Sequence, residues 1–104
     1  MEQAKIKDEI TESAWMKGSY YSMEVAGESN LNVACKKAKR CCLSGWIIRV
    51  YGKEYSSKAE EARRRLTSAI IMHTNSIFCT PVSFNDAYTT TFQDIQKVLE
   101  IADI

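Results

Sequence analysis

With 104 residues, 45% hydrophobic and 26% charged side chains, the chain has the make-up of one soluble globular domain with a modest core. Apolar runs such as Trp46-Ile47-Ile48 are far too short to span a bilayer, and the alternating charges of Glu2, Lys5, Lys7 and Asp8 do not make a signal peptide. A cytoplasmic setting with reduced thiols is therefore expected, and no membrane partner.

The formal charge of +1 conceals a sorting by position. Residues 36–65 hold ten Lys and Arg against three Glu, while residues 1–35 and 66–104 each sum to −3. A basic centre between acidic flanks points to nucleic acid, an acidic protein surface, or the chain's own acidic ends as its counterpart.

In chain order, Ile6, Ile10 and Ala14 predict a first helix over about 3–16, with Gly18 as its stop. Tyr21, Met23 and Val25 alternate with Ser22 and Glu24, which admits a short strand, and Ile77-Phe78-Cys79-Thr80 before Pro81 would supply its partner. A middle helix is expected over about 31–51, opened by Ser29-Asn30 and closed by Gly52. Its stripe of Leu31, Ala34, Cys35, Ala38, Cys41, Cys42 and Gly45 is mostly small, and Gly45 in a helix interior suggests close backbone contact or a bend.

The next helix, about 58–73, begins at Ser57-Lys58-Ala59-Glu60, a capping-box pattern. Glu60 to Arg64 and Glu61 to Arg65 have the spacing of helical ion pairs, and Asn75 suits the exit. Phe92, Ile95, Val98, Leu99 and Ala102 recur at helical spacing in a last helix, about 92–103, which Thr91 caps and Asp94 reciprocates. The fold class expected is mainly α: a bundle of about four helices in one domain, with room for a small two-stranded β element.

Three short motifs stand in order along this framework: Trp15-Met16-Lys17-Gly18, Cys42-Leu43-Ser44-Gly45, and Phe84-Asn85-Asp86 followed by Thr91. Together they resemble the bacterial and phage family known as domain of unknown function 6197. Phe84 stands where that family usually carries Trp, and Trp46 where a small residue is common. The resemblance implies a mainly helical fold and a setting in phages or mobile elements. It implies no activity and no site residues.

Catalytic patterns are sparse. His73 is the single histidine, and a Cys–His nucleophile would have to pair it with Cys79 or Cys42, neither of which is locally marked as activated. A zinc site from Cys35, Cys42, His73 and Cys79 lacks the paired spacing such sites use, so the cysteines read as core thiols. Paired carboxylates (Asp8 with Glu9, Glu60 with Glu61) read as solvated helix faces, and Asn85 and Asp86 as turn residues holding local backbone groups. No enzyme, metal or cofactor is expected.

What remains is the basic stretch. Lys36, Lys37, Lys39, Arg40, Arg63, Arg64 and Arg65 are the candidate binding residues, with Tyr51 and Tyr55 near enough in sequence to stack on bases. The plain alternative is that these charges solvate two exposed helix faces. The leading functional expectation is a small accessory protein that binds a host protein complex, an inhibitor of a nucleic-acid-targeting defence system (anti-CRISPR-like) among the forms that fit its size. Direct nucleic-acid binding through residues 36–65 is the runner-up, and a homo-oligomeric structural protein the third reading.

Overall fold

The hydrophobic faces dictate a mainly helical architecture, and the computed structural model describes it for residues 4–52, 56–77 and 79–104. Among the described residues six α-helices follow one another: α1 (Ile6–Glu9), α2 (Leu31–Lys37), α3 (Leu43–Tyr51), α4 (Ser57–Thr74), α5 (Pro81–Asp86) and α6 (Phe92–Ala102). Short 3-10 turns at Glu12–Ala14 and Met23–Val25 lie between α1 and α2.

The central element is α3, whose residues Leu43 to Ile48 are all buried and which packs against α1, α2, α4 and α5. The most extensive helix pair is α4 with α6. There Leu66, Ala69 and Ile70 of α4 and Ile95, Val98 and Leu99 of α6 belong to one contiguous core with Leu43, Ile47 and Ile48.

The last two long helices follow the sequence pattern closely. Thr91 and Asp94 form the reciprocal capping box, and Asn75 ends α4 in the left-handed region at φ 58°. The N-cap of α4 is Ser56, one residue earlier than the pattern placed it, and its side chain accepts from Ala59 N. Glu60 therefore falls outside a capping-box position. The i,i+4 pairs are also replaced: Arg64 turns to Glu61, and Arg65 reaches Asp103 at 3.8 Å.

The middle helix expected over 31–51 is two helices. α2 ends at Lys37, and Ala38 and Cys42 are extended, with ψ 145° and 176°. The backbone bonds that continuation would have supplied are made elsewhere. Cys41 N donates to Ala14 O at 3.0 Å, Met16 N to Cys41 O at 3.1 Å, and Ser22 N to Arg40 O at 3.0 Å. Arg49 on α3 reaches back to donate to the Cys35 and Ala38 carbonyls, which closes the end of α2. Cys42 then caps α3, its sulfur accepting from Gly45 N at 3.5 Å.

The first helix is likewise shorter than expected. Ile10 and Thr11 turn extended, and Trp15 forms an isolated parallel bridge with Cys41. The bridge requires straight backbone where a helix over 3–16 would have continued. Among the described residues no strand forms. Met23 to Val25 are a 3-10 turn with Met23 82% exposed, so the alternation there does not mark a buried face. Phe78, in the suggested partner strand, lies outside the described residues. Pro81 instead opens α5, which Thr80 caps in a reciprocal box with Ser83.

Candidate functional site

The seven candidate cations fall into two groups. Lys36 and Lys37 occupy the last turn of α2, where positive charge suits the carbonyl end of a helix, and Lys39 and Arg40 follow in the connection to α3. All four are exposed. Their backbone is pinned: Lys39 N donates to Glu24 Oε1 at 2.8 Å and Arg40 N to Ser22 Oγ at 3.1 Å. Ser22 Oγ donates in turn to Glu24 at 2.6 Å, and these two donors, the hydroxyl foremost, draw the Glu24 carboxyl down to about 2.

The second group is on α4. Arg63 is half-buried, while Arg64 and Arg65 are exposed. α2 packs principally on α3, and α4 on α3, α5 and α6, so the two groups share α3 as their neighbour. Tyr51 is committed to structure: its hydroxyl donates to the Ile104 backbone oxygen at 2.9 Å. Tyr55 and Lys53 lie outside the described residues.

Arg64 and Arg65 flank a groove of about 440 Å³ between α4 and the end of α6. Glu61, Ser68, Ala69 and Met72 of α4 and Ile101 and Ala102 of α6 complete its lining. Met72 is 71% exposed and Ile101 37%, so the two present apolar surface on the same groove. A second hollow of about 360 Å³ shares Glu61 and Arg65 with the first and continues to Tyr51, Lys58 and Ile104.

The second hollow is also lined by Asp103, which sequence reasoning passed over. In the left-handed region at φ 57°, it accepts from Lys5 at 2.9 Å and Lys7 at 2.7 Å and faces Arg65 at 3.8 Å. The Lys5 and Lys7 ammoniums hold its carboxyl at about 2. The three cations are 38 or more positions away from Asp103, so periodicity carried no sign of the cluster.

The polar residues weighed for chemistry make contacts within the protein. His73 Nε2 lies 3.0 Å from Asp94 Oδ1, and its ring meets the Phe84 edge at 6.2 Å. The Thr91 backbone N–H, and then His73, lower the Asp94 carboxyl. The cysteines are free. Cys35 and Cys41 are fully buried neighbours whose thiols move in opposite directions: a hydrogen bond between them raises Cys35 and lowers Cys41, beside the Arg49 guanidinium. Burial raises Cys42. Among the described residues no group of His, Cys, Asp and Glu is arranged to hold a metal, and no helix is long and apolar enough to cross a membrane.

The three sequence motifs converge on Asn85, which is 1% exposed. Its Oδ1 accepts from Trp15 Nε1 at 2.7 Å and from Leu43 N, an otherwise unpaired donor at the start of α3, at 3.0 Å. Its Nδ2 donates to Met16 O at 3.0 Å and to Asp86 Oδ1 at 2.8 Å. Asp86 completes the knot by accepting from Gly18 N at 2.8 Å. The expectation of local turn bonds is corrected: apart from the Asp86 contact, Asn85 bonds groups 42 to 70 positions away. The family model for DUF6197, a family of unknown function, matches residues 4–103. The chain belongs to family DUF6197. No curated protein and no solved structure matches it. For this DUF6197 chain, the motifs form a structural knot of α3, α5 and the segment after α1. The groove on α4 draws on none of the knot's residues.

Proposed function

We propose that the protein acts by binding a protein partner rather than by catalysis, with the groove beside Arg64 and Arg65 as the centre of its contact surface. The observation that carries this reading is the pairing of two exposed guanidiniums with exposed Met72 and Ile101 around one groove. Phosphate-tracking surfaces use cations along a backbone and aromatic stacking platforms. Guanidiniums beside exposed apolar side chains suit a protein surface that presents carboxylates beside an apolar anchor. A host protein complex is the partner class, as for an accessory protein of phages or mobile elements. Inhibition of a nucleic-acid-targeting defence system is the form of that role that the resemblance-derived setting favours.

Capture from host lysate, with and without nuclease, tests the proposal. A discrete protein complex should survive nuclease and disappear with R64E/R65E, while K36E/K37E, an equal change in net charge, should retain it. Circular dichroism on both variants checks that helicity is unchanged. Capture that vanishes with nuclease and falls steeply with salt would transfer the function to direct nucleic-acid binding. A sizing column that returns a stable oligomer with no captured partner would favour the structural reading.

A further inference from the structure

Along α4, Arg65, Ser68 or Ala69, and Met72 lie on one face, separated by three or four residues at each step. Each lines the groove. Along α4 the lining is graded: cations first, small side chains next and Met72 last, with Ile101 and Ala102 of α6 opposite. The seven steps from Arg65 to Met72 span about 10 Å of helix. Small residues in the middle of such a groove let a second backbone approach closely, and bulky ends fix its register.

The cations are already paired, and the pairs are of the replaceable kind. Arg64 with Glu61 has side chains 77% and 53% exposed, and Arg65 stands 3.8 Å from an Asp103 that two lysines already satisfy. Exposed pairs of this sort contribute little to stability. A carboxylate brought in on an apolar anchor that excludes water would compete with them on favourable terms.

From these features, and resting on the protein-binding reading above, we infer that the groove takes one amphipathic acidic helix of a partner protein. That helix carries Asp or Glu about seven residues from a large apolar side chain. The carboxylate meets Arg65 and Arg64, the apolar side chain lies between Met72 and Ile101, and small side chains face Ser68 and Ala69. The spacing follows because seven residues of the visiting helix cover the same length as seven of α4.

Selection from a displayed library of random peptides of about 16 residues tests this without knowledge of the partner. The expected winners pair an acidic with a large apolar residue at seven-residue spacing. M72D and R65Q should each weaken them at least about tenfold, as loss of a central anchor does. Met72 is solvent-exposed, so its substitution leaves the core intact. Neutral or basic winners, winners indifferent to M72D and R65Q, or no enrichment at all would overturn the inference. In those cases nuclease-resistant capture lost in R64E/R65E would leave the protein-binding reading standing. Capture that fails with nuclease would remove that reading itself.

Discussion

A single buried amide does much of the organising in this fold. Asn85 satisfies four hydrogen-bond positions at once, two through its oxygen and two through its nitrogen, and each of its main-chain partners belongs to a distant segment. Substitution by Ala would leave the Trp15 indole N–H, the Leu43 N–H and the Met16 carbonyl without their partner. Each buried orphan costs about 1–3 kcal/mol, and partial relaxation toward water reduces the total. The expected loss for N85A is about 3 kcal/mol, read as a lower urea midpoint at constant slope. Asp at this position should not rescue it. It keeps the acceptor, but loses donation to Met16 O and places a second carboxylate beside Asp86. A near-native midpoint for N85A would show that the knot is not what holds the segment after α1 on α3.

At the scale of elements, the sequence was informative where a face is buried by helix packing and uninformative where backbone pairs with backbone. α4 and α6 were legible because their apolar periodicity faces a real core and their ends carry Asn75, Thr91 and Asp94. The break between α2 and α3 was not, because Cys35, Ala38, Cys41 and Cys42 continue a helical stripe straight through it. The break is imposed from outside, by Ala14, Met16, Ser22 and the Arg49 guanidinium. The candidate cations were legible by charge alone. The groove beside them was not, since Ile101 and Met72 come from helices far apart in sequence.

Gly45 illustrates the same conflict between local and tertiary effects. Local propensity favours Ala over Gly in a helix by up to about 1 kcal/mol. Yet a Cβ on Gly45 would lie 2.1 Å from the Tyr20 carbonyl oxygen and 2.9 Å from the Cys41 Cβ. A backbone oxygen cannot swing aside as a side chain does, so the packing clash wins. G45A should be destabilising by about 1–3 kcal/mol net of its propensity gain. Thermal melts that show G45A equal to or above wild type would mean that the segment around Tyr20 yields easily and does not define α3.

Across the whole molecule, the acidic flanks of the chain are drawn to its basic residues, though not by broad face-to-face pairing. Glu24 bonds backbone and hydroxyl groups beside Lys39, and Asp103 gathers Lys5, Lys7 and Arg65. The Asp103 cluster ties the start of the described chain to its end, where Ile6 N also donates to the Ile104 oxygen. Folding depresses Asp103 from the ordinary 3.8 to about 2, chiefly through hydrogen bonds from Lys5 and Lys7. A depressed carboxyl contributes stability that is complete above its unfolded value and disappears as pH falls through the folded one. The unfolded chain takes up the proton first, so the loss begins near pH 4 and is finished near pH 2. D103N removes the charge at every pH. It should lower the urea midpoint at neutral pH and show a smaller decline on acidification, its curve approaching wild type near pH 2. Glu24, also depressed to about 2, should leave part of that decline in the variant. Added salt at neutral pH should narrow the gap between the two proteins, since these charges are solvent-accessible and screened. A gap constant in both pH and salt would mean that the ions around Asp103 contribute nothing to joining the ends.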